Sequence, residues 1–195
     1  MNSFYTVHEN CKIGYKLLSP ADLGTNNSSH QTHIGLHGAS LDYLRNFERN
    51  SISTFVYEDK SEELLCLLDF ITRADGTIEA PKIRKGSIEE LNYKDEFYNS
   101  IVREIRDIVK NDGSKQNWYL MWFGLENEDL VFFLFKENSK DFQKIVDVLG
   151  ALKIRDTIKN SSTLFNKIVD FFENKIDEAS LSLFDEIEKL PENDD

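Results

Sequence analysis

One stretch constrains this chain more than any other. Trp118-Tyr-Leu-Met-Trp-Phe-Gly-Leu125 and Leu130-Val-Phe-Phe-Leu-Phe135 are two strongly apolar runs joined by Glu126-Asn-Glu-Asp129. Runs of this length separated by a few polar residues predict a β-hairpin. Trp118, Trp122, Phe132, Phe133 and Phe135 then belong to the core, and a stacking platform for single strands is the alternative. The chain has 195 residues, 40% of them hydrophobic, which suffices for one domain with a real core.

Around that hairpin the pattern is mixed. Ile13 to Ser19 alternates as a strand, and Pro20 to Ser29 has loop chemistry. The next segment, His30 to His37, regains modest β character. Ser40 can cap a short helix carrying Leu41, Leu44 and Phe47. Thr54 to Tyr57 and Leu64 to Thr72 read as strands, the second apolar enough to be buried on both faces. Asp75-Gly76 signals a hairpin, and Pro81 argues against a central strand after it. Arg73 to Arg84 is therefore expected to form a projecting arm. Helical spacing marks Asp95 to Lys110, stopped by Asn111-Asp-Gly113. Ser139 caps a second helix with Phe142, Ile145, Val146 and Leu149, closed by Gly150. Leu164 to Leu190 carries an apolar stripe expected to form one long packing helix or two. The fold class is thus α+β with a mainly β core. Residues 1–155 are expected to form the domain, and 156–195 a C-terminal helical extension.

Several function classes are disfavoured. No run reaches the roughly 20 apolar residues of a membrane span, and Met1 to Asn10 lacks the features of a signal peptide. Cys11 and Cys66 make no disulfide framework, and Cys66 reads as a buried thiol. A reducing bacterial cytoplasm fits this usage. The net charge of −12 opposes DNA binding at first sight. Its distribution softens the objection: residues 1–87 carry 9 Lys+Arg and 11 Asp+Glu, whereas residues 88–195 carry 14 and 24.

Two segments could carry recognition chemistry. The first runs from Lys16 through Leu18-Ser19, Asp22 and Gly24 to Ser29-His30-Gln31. The second runs from Thr72-Arg73 to Lys82-Ile-Arg84-Lys85-Gly86-Ser87. The first resembles the N-terminal effector domain of EcoRII-like type II restriction endonucleases, with a Leu-Ser-x-x-Asp-x-Gly stretch followed by His-Gln, here with one extra residue between. Arg84-Lys85-Gly86-Ser87 resembles the Gly-x-Gly-Ser-like end of that family's basic arm less closely. The resemblance covers roughly Lys16 to Gly150. His33 and Gly35 depart from the family spacing, and several of its basic arm positions are Ala, Asp or Thr here.

The resemblance implies a plant B-three-like DNA-binding pseudobarrel whose two arms grip the major groove at a CCWGG-like site. It implies a non-catalytic effector domain of a type IIE enzyme. Its partners would be double-stranded DNA and a catalytic nuclease domain of the same polypeptide, without a membrane, and a monomer is expected. No cofactor is expected in this segment, magnesium belonging to the catalytic domain. Side-chain chemistry agrees: Gln pairs with adenine, Arg with guanine, and carboxylates accept from cytosine. Arm one offers His30, Gln31, Thr32 and His33. Arm two offers Arg73, Asp75, Thr77, Glu79, Lys82 and Arg84. Lys16, Lys82 and Lys85 would contact phosphates. Ser19, Asp22, Asn26, Asn27 and Ser29 complete the candidate set, Asp22 organising its loop through an Asx-type turn.

Rival readings exist. Asp69, Glu79 and Lys82 could form a magnesium-dependent nuclease site, although two residues separate the acid from the lysine and Pro81 intervenes. The net charge suggests an acidic DNA mimic or protein-binding module. His30, His33 and His37 could hold a metal, but only His33 and His37 share a face of an alternating strand.

Overall fold

The structure is a computed structural model. It describes residues 12–26, 31–36, 44–45, 47–70, 72–78, 81–86, 92–93, 96–124, 130–150, 157–160, 167–168, 170–172 and 174–175. Among them the strands are β1 (Lys12–Leu17), β2 (His33–Gly35), β3 (Asn50–Tyr57), β4 (Lys60–Asp69), β5 (Lys82–Arg84), β6 (Asn92–Tyr93), β7 (Glu96–Phe97), β8 (Trp118–Gly124), β9 (Leu130–Lys136) and β10 (Thr157–Asn160). The helices with full bounds are α1 (Ile101–Asp112) and α2 (Lys140–Leu149). Eight strands form one sheet in the order β10-β1-β8-β9-β3-β4-β5-β2, antiparallel except for the β3–β9 pair. A small β6–β7 ribbon stands apart.

The central hairpin explains the architecture. β8 and β9 pair over Trp118↔Lys136 to Gly124↔Leu130, and every β8 residue is buried. Alternation then divides the side chains between two cores. Trp118, Leu120, Trp122, Phe132 and Leu134 face a cluster shared with β4, β5 and α1. Tyr119, Met121, Phe123, Phe133 and Phe135 face a second cluster closed by α2, Ile168 and Phe172. A strand covered on both faces needs no polar alternation, which is why both runs are so apolar.

The sheet is curled. β1 and β2 are not neighbours in the strand order, yet the Lys16 ammonium on β1 donates to the Gly35 carbonyl on β2. Only a sheet wrapped around its inner cluster brings those strands together. α1 lies against the inner cluster, burying Ile101, Val102, Ile105 and Val109. Gly14 lets the wrap tighten: a Cβ there would stand 2.2 Å from the Trp122 ring.

Four local expectations are corrected. β3 and β4 form one long hairpin, Asn50↔Leu67 to Tyr57↔Lys60, with Glu58 at φ 52° in its two-residue turn. Glu58-Asp59 lacks the Asn-Gly signature of such a turn, so the polar ends of both strands read as loop. α1 begins at Ile101 rather than Asp95, because Glu96–Phe97 is committed to the β6–β7 ribbon. Lys82–Arg84 belongs to the sheet, paired with both β2 and β4, and does not project. Thr157–Asn160, expected as part of a helical extension, is a strand hydrogen-bonded to β1. Residues 167–168, 170–172 and 174–175 are helical beyond it. The Ser40 helix start, the Glu126–Asp129 connection and the stripe beyond residue 175 lie outside the described residues.

Candidate nucleic-acid interface

The first singled-out segment folds around a buried acid. Leu18 enters the core, and the chain turns through Ser19–Gly24, with Leu23 N–H donating to Ser19 O and Gly24 N–H to Ala21 O. Asp22 is 1% exposed. One carboxylate oxygen accepts from the Ser19 backbone N–H at 2.9 Å and the Ser19 hydroxyl at 2.8 Å, and pairs with Lys16 Nζ at 2.8 Å. The other accepts from Gln31 Nε2 at 3.1 Å. A buried carboxylate is tolerable only with partners of this kind. Gln31 Nε2 also donates to His33 O at 2.6 Å.

Arg106, on α1, completes the arrangement. Its Nε donates to Asp22 O at 3.0 Å, and its Nη2 donates to Gln31 O at 2.9 Å and Ala21 O at 3.4 Å. Gly24, at φ +69°, lies against it: a Cβ there would meet Arg106 at 3.3 Å. The planar guanidinium thus ties both sides of the loop to the helix.

The second segment supplies a face. In the β2–β5 ribbon the pairs are His33↔Arg84, Ile34↔Ile83 and Gly35↔Lys82, and β4 adds Leu68↔Ile83 and Asp69↔Lys82. Ile34, Ile83 and Leu68 point into the inner core. Alternation therefore turns His33, Lys82, Arg84 and Asp69 to the other face. Arg84 Nε stands 4.0 Å from Asp69 Oδ2, with the two side chains 38% and 35% exposed. Backbone bonds from Lys85 N–H to Thr32 O and from Leu36 N–H to Pro81 O lengthen the ribbon at both ends. The Ser100 hydroxyl, at the N-cap of α1, donates to Lys85 O and makes no cap bond to its own helix.

Beyond β4 the chain continues outward. Residues 72–78 are all exposed, with a Thr72↔Ile78 bridge and an Arg73 N–H to Thr77 O bond of 2.7 Å. Asp75 Oδ1 accepts from the Thr77 N–H at 2.9 Å and the Thr77 hydroxyl at 2.6 Å, fixing the turn at Gly76. These bonds lower the Asp75 pKa. The projecting part of arm two is thus this tip.

His33 sits where the segments meet. Burial lowers its pKa first, and Lys82 lowers it further; Asp22 opposes, and Arg106 and Lys16 add to the lowering. The ring is therefore neutral at pH 7, able to donate from one nitrogen and accept at the other.

Of the candidate residues, Thr32, His33, Lys82, Arg84 and Lys85 gather along the ribbon, and Arg73, Asp75 and Thr77 form the exposed tip. Asn26 is exposed at the end of the first turn. Three expected contacts are instead internal. Lys16 is held by Asp22 and Gly35, so its ammonium is not set out for a phosphate. Ser19 is bound to Asp22. Gln31 spends its amide nitrogen on Asp22 and His33, which removes the bidentate pattern adenine needs. Asp22 organises its loop, though not through the expected Asx-type turn: its carboxylate accepts from the Ser19 N–H while the Ser19 hydroxyl accepts from the Asp22 N–H. Asn27, Ser29, His30 and Glu79 lie outside the described residues. Arg106 and Ser100 were not anticipated: each acts on distant backbone, Arg106 across 84 residues to Asp22, and no local motif announces such a contact.

For the nuclease reading, Asp69 and Lys82 are cross-strand neighbours, and Asp69 also faces Arg84. Among the described residues no group of three His, Cys, Asp or Glu side chains could hold a metal ion. None of the described helices is long and apolar enough to cross a membrane.

No protein-family model matches the chain, and no curated protein does. Among solved structures, the N-terminal domain of Helicobacter pylori LlaJI.R1 is similar over 77% of this chain and 99% of its own, at 10% identity and a TM-score of 0.44. Both figures are too low for that likeness to carry a functional argument.

Proposed function

We propose that the chain recognises a short sequence in double-stranded DNA as a non-catalytic domain, as the resemblance to EcoRII-like effector domains implies. One observation supports this most: two segments far apart in sequence meet in one ribbon, where His33, Lys82 and Arg84 share a face beside an exposed, internally braced tip. Lys82 and Lys85 suit phosphates, which fix register, and Arg84 suits the two acceptors of a guanine edge. His33, Asp75 and Thr77 offer donors and acceptors for other base edges. The family site, CCWGG, is the first sequence to try. Catalysis would lie in a nuclease domain elsewhere in a longer polypeptide.

The test is a gel-shift titration with the CCWGG duplex and a scrambled control, at stated salt and with competitor. A gap of about a thousandfold or more is expected for specific recognition. Equal weak binding to both would remove the CCWGG assignment, and absence of binding to any duplex would remove the DNA reading.

A second reading has its own observation. A cleft of about 390 Å³ is lined by Glu58, Glu62, Glu104 and Asp112, against one cation, Lys60, around an apolar floor of Phe55 and Ile108. Such a cleft suits a basic segment of a protein partner. Glu62→Lys would abolish that interaction and leave duplex binding unchanged.

A further inference from the structure

We propose that Arg106 is a positioning residue for DNA recognition, setting the first arm relative to the second from helix α1. The inference rests on the duplex-binding reading and assigns specificity to a residue whose guanidinium is spent on backbone carbonyls.

Three observations carry it. Arg106 bonds the carbonyls of Ala21, Asp22 and Gln31, which bracket the first arm on both sides. Ser100, at the N-cap of the same helix, has its hydroxyl diverted from capping to the Lys85 carbonyl at the base of the second arm. Both arms are therefore anchored to one rigid element, six residues apart. Finally, Gly24 leaves only enough room for the guanidinium, since a Cβ would press on it at 3.3 Å. The bonds come from two separate nitrogens, Nε and Nη2, of one planar fork, and the three donors of a lysine ammonium, all on one nitrogen, do not reproduce that spread.

Misplaced arms lose base contacts before phosphate contacts, because base contacts demand exact geometry whereas phosphate attraction acts at longer range. Arg106 should thus control specificity more than affinity. Sequences bound by the wild-type chain are first selected from a random duplex pool. Wild type, Arg106→Lys and Gly24→Ala are then compared for binding to a selected and a scrambled duplex. Amide hydrogen exchange is followed in residues 19–26 and 31–35 and in β8–β9.

We expect Arg106→Lys to lower the selected-to-scrambled affinity ratio by about tenfold or more, the scale of one lost base contact. Scrambled-duplex binding and β8–β9 exchange should be unchanged, and exchange in 19–26 and 31–35 should accelerate. Gly24→Ala should show the same pattern more weakly. An unchanged affinity ratio would overturn the proposal whatever the exchange shows, as would an equal loss on both duplexes with faster exchange everywhere. If the wild type selects no sequence, the duplex reading fails and this role falls with it. Faster exchange confined to the two segments would then show Arg106 to be a structural clamp alone.

Discussion

Single side chains here are held to tight geometric limits. Gly14→Ala places a Cβ 2.2 Å from the fully buried Trp122 ring, which must shift to admit it. The expected cost is about 1–3 kcal/mol of overpacking, seen as a lower denaturant midpoint at unchanged slope. Asp22→Ala leaves the Lys16 ammonium without its carboxylate, with side-chain exposures of 17% and 2% for the pair. A loss of about 3 kcal/mol is expected, and one of similar size for Lys16→Met, which leaves the buried Asp22 carboxylate without its counter-ion. His33 gives a pH signature. Its pKa is lowered in the folded chain, so the unfolded state binds more protons in mild acid. The His33 contribution to stability is therefore present above about pH 6.5 and lost as pH falls through the lowered folded value. His33→Gln should flatten the stability profile in that window, as thermal melting from pH 7 to 5 would reveal. Cys66 is fully buried and its thiol is pushed up to about 12. Thiol reagents should then label it only as fast as the chain opens. The sequence announced Cys66 and Asp22 through their neighbours, whereas the Arg106 contacts depend on a fold that no local pattern encodes.

At the scale of elements, legibility followed the strength of the local signal. The β8–β9 pair was plain because both faces are buried and its runs are uniformly apolar. α2 was plain because Ser139 and Gly150 mark its ends: Ser139 Oγ accepts from Phe142 N–H at 3.1 Å, and Gly150 sits at φ 78°. Ser139→Ala should cost about 1 kcal/mol, measurable as a shift in melting temperature. The same substitution at Ser100 should behave differently, since its hydroxyl serves Lys85 rather than a cap. The hairpin from Asn50 to Asp69 was only half legible. Its outer ends are polar and its turn carries Glu58-Asp59, so the strands looked shorter than their ladder. β10 was missed because Thr157-Ile-Lys-Asn160 is too short to show a period, and its partner β1 lies at the other end of the chain.

The described residues form a curled sheet with one cluster inside, a second outside and a small third around Leu65 and Leu67, and the ribbon carrying Lys82 and Arg84 lies at the β2 edge. Four acids, Glu58, Glu62, Glu104 and Asp112, line a cleft formed by β3, β4 and α1, whereas Lys82, Arg84 and Lys85 lie on and just after β5, so the net charge of −12 does not by itself oppose the proposed duplex binding. The sequence indicated the α+β class, and it singled out two segments that the fold brings together in the β2–β5 ribbon. It did not indicate that Lys16, Ser19 and Gln31 would spend their polar groups on Asp22. The ribbon itself is the central claim, and substitution within it tests that claim most directly. Arg84→Ala and Lys144→Ala are compared with wild type on a selected duplex at one salt concentration. Lys144 lies on α2, on the far side of the sheet beside Phe171. The account predicts that Arg84→Ala weakens binding by about tenfold or more, with Lys144→Ala indistinguishable from wild type. Equal affinity for all three proteins would show that the ribbon does not touch DNA.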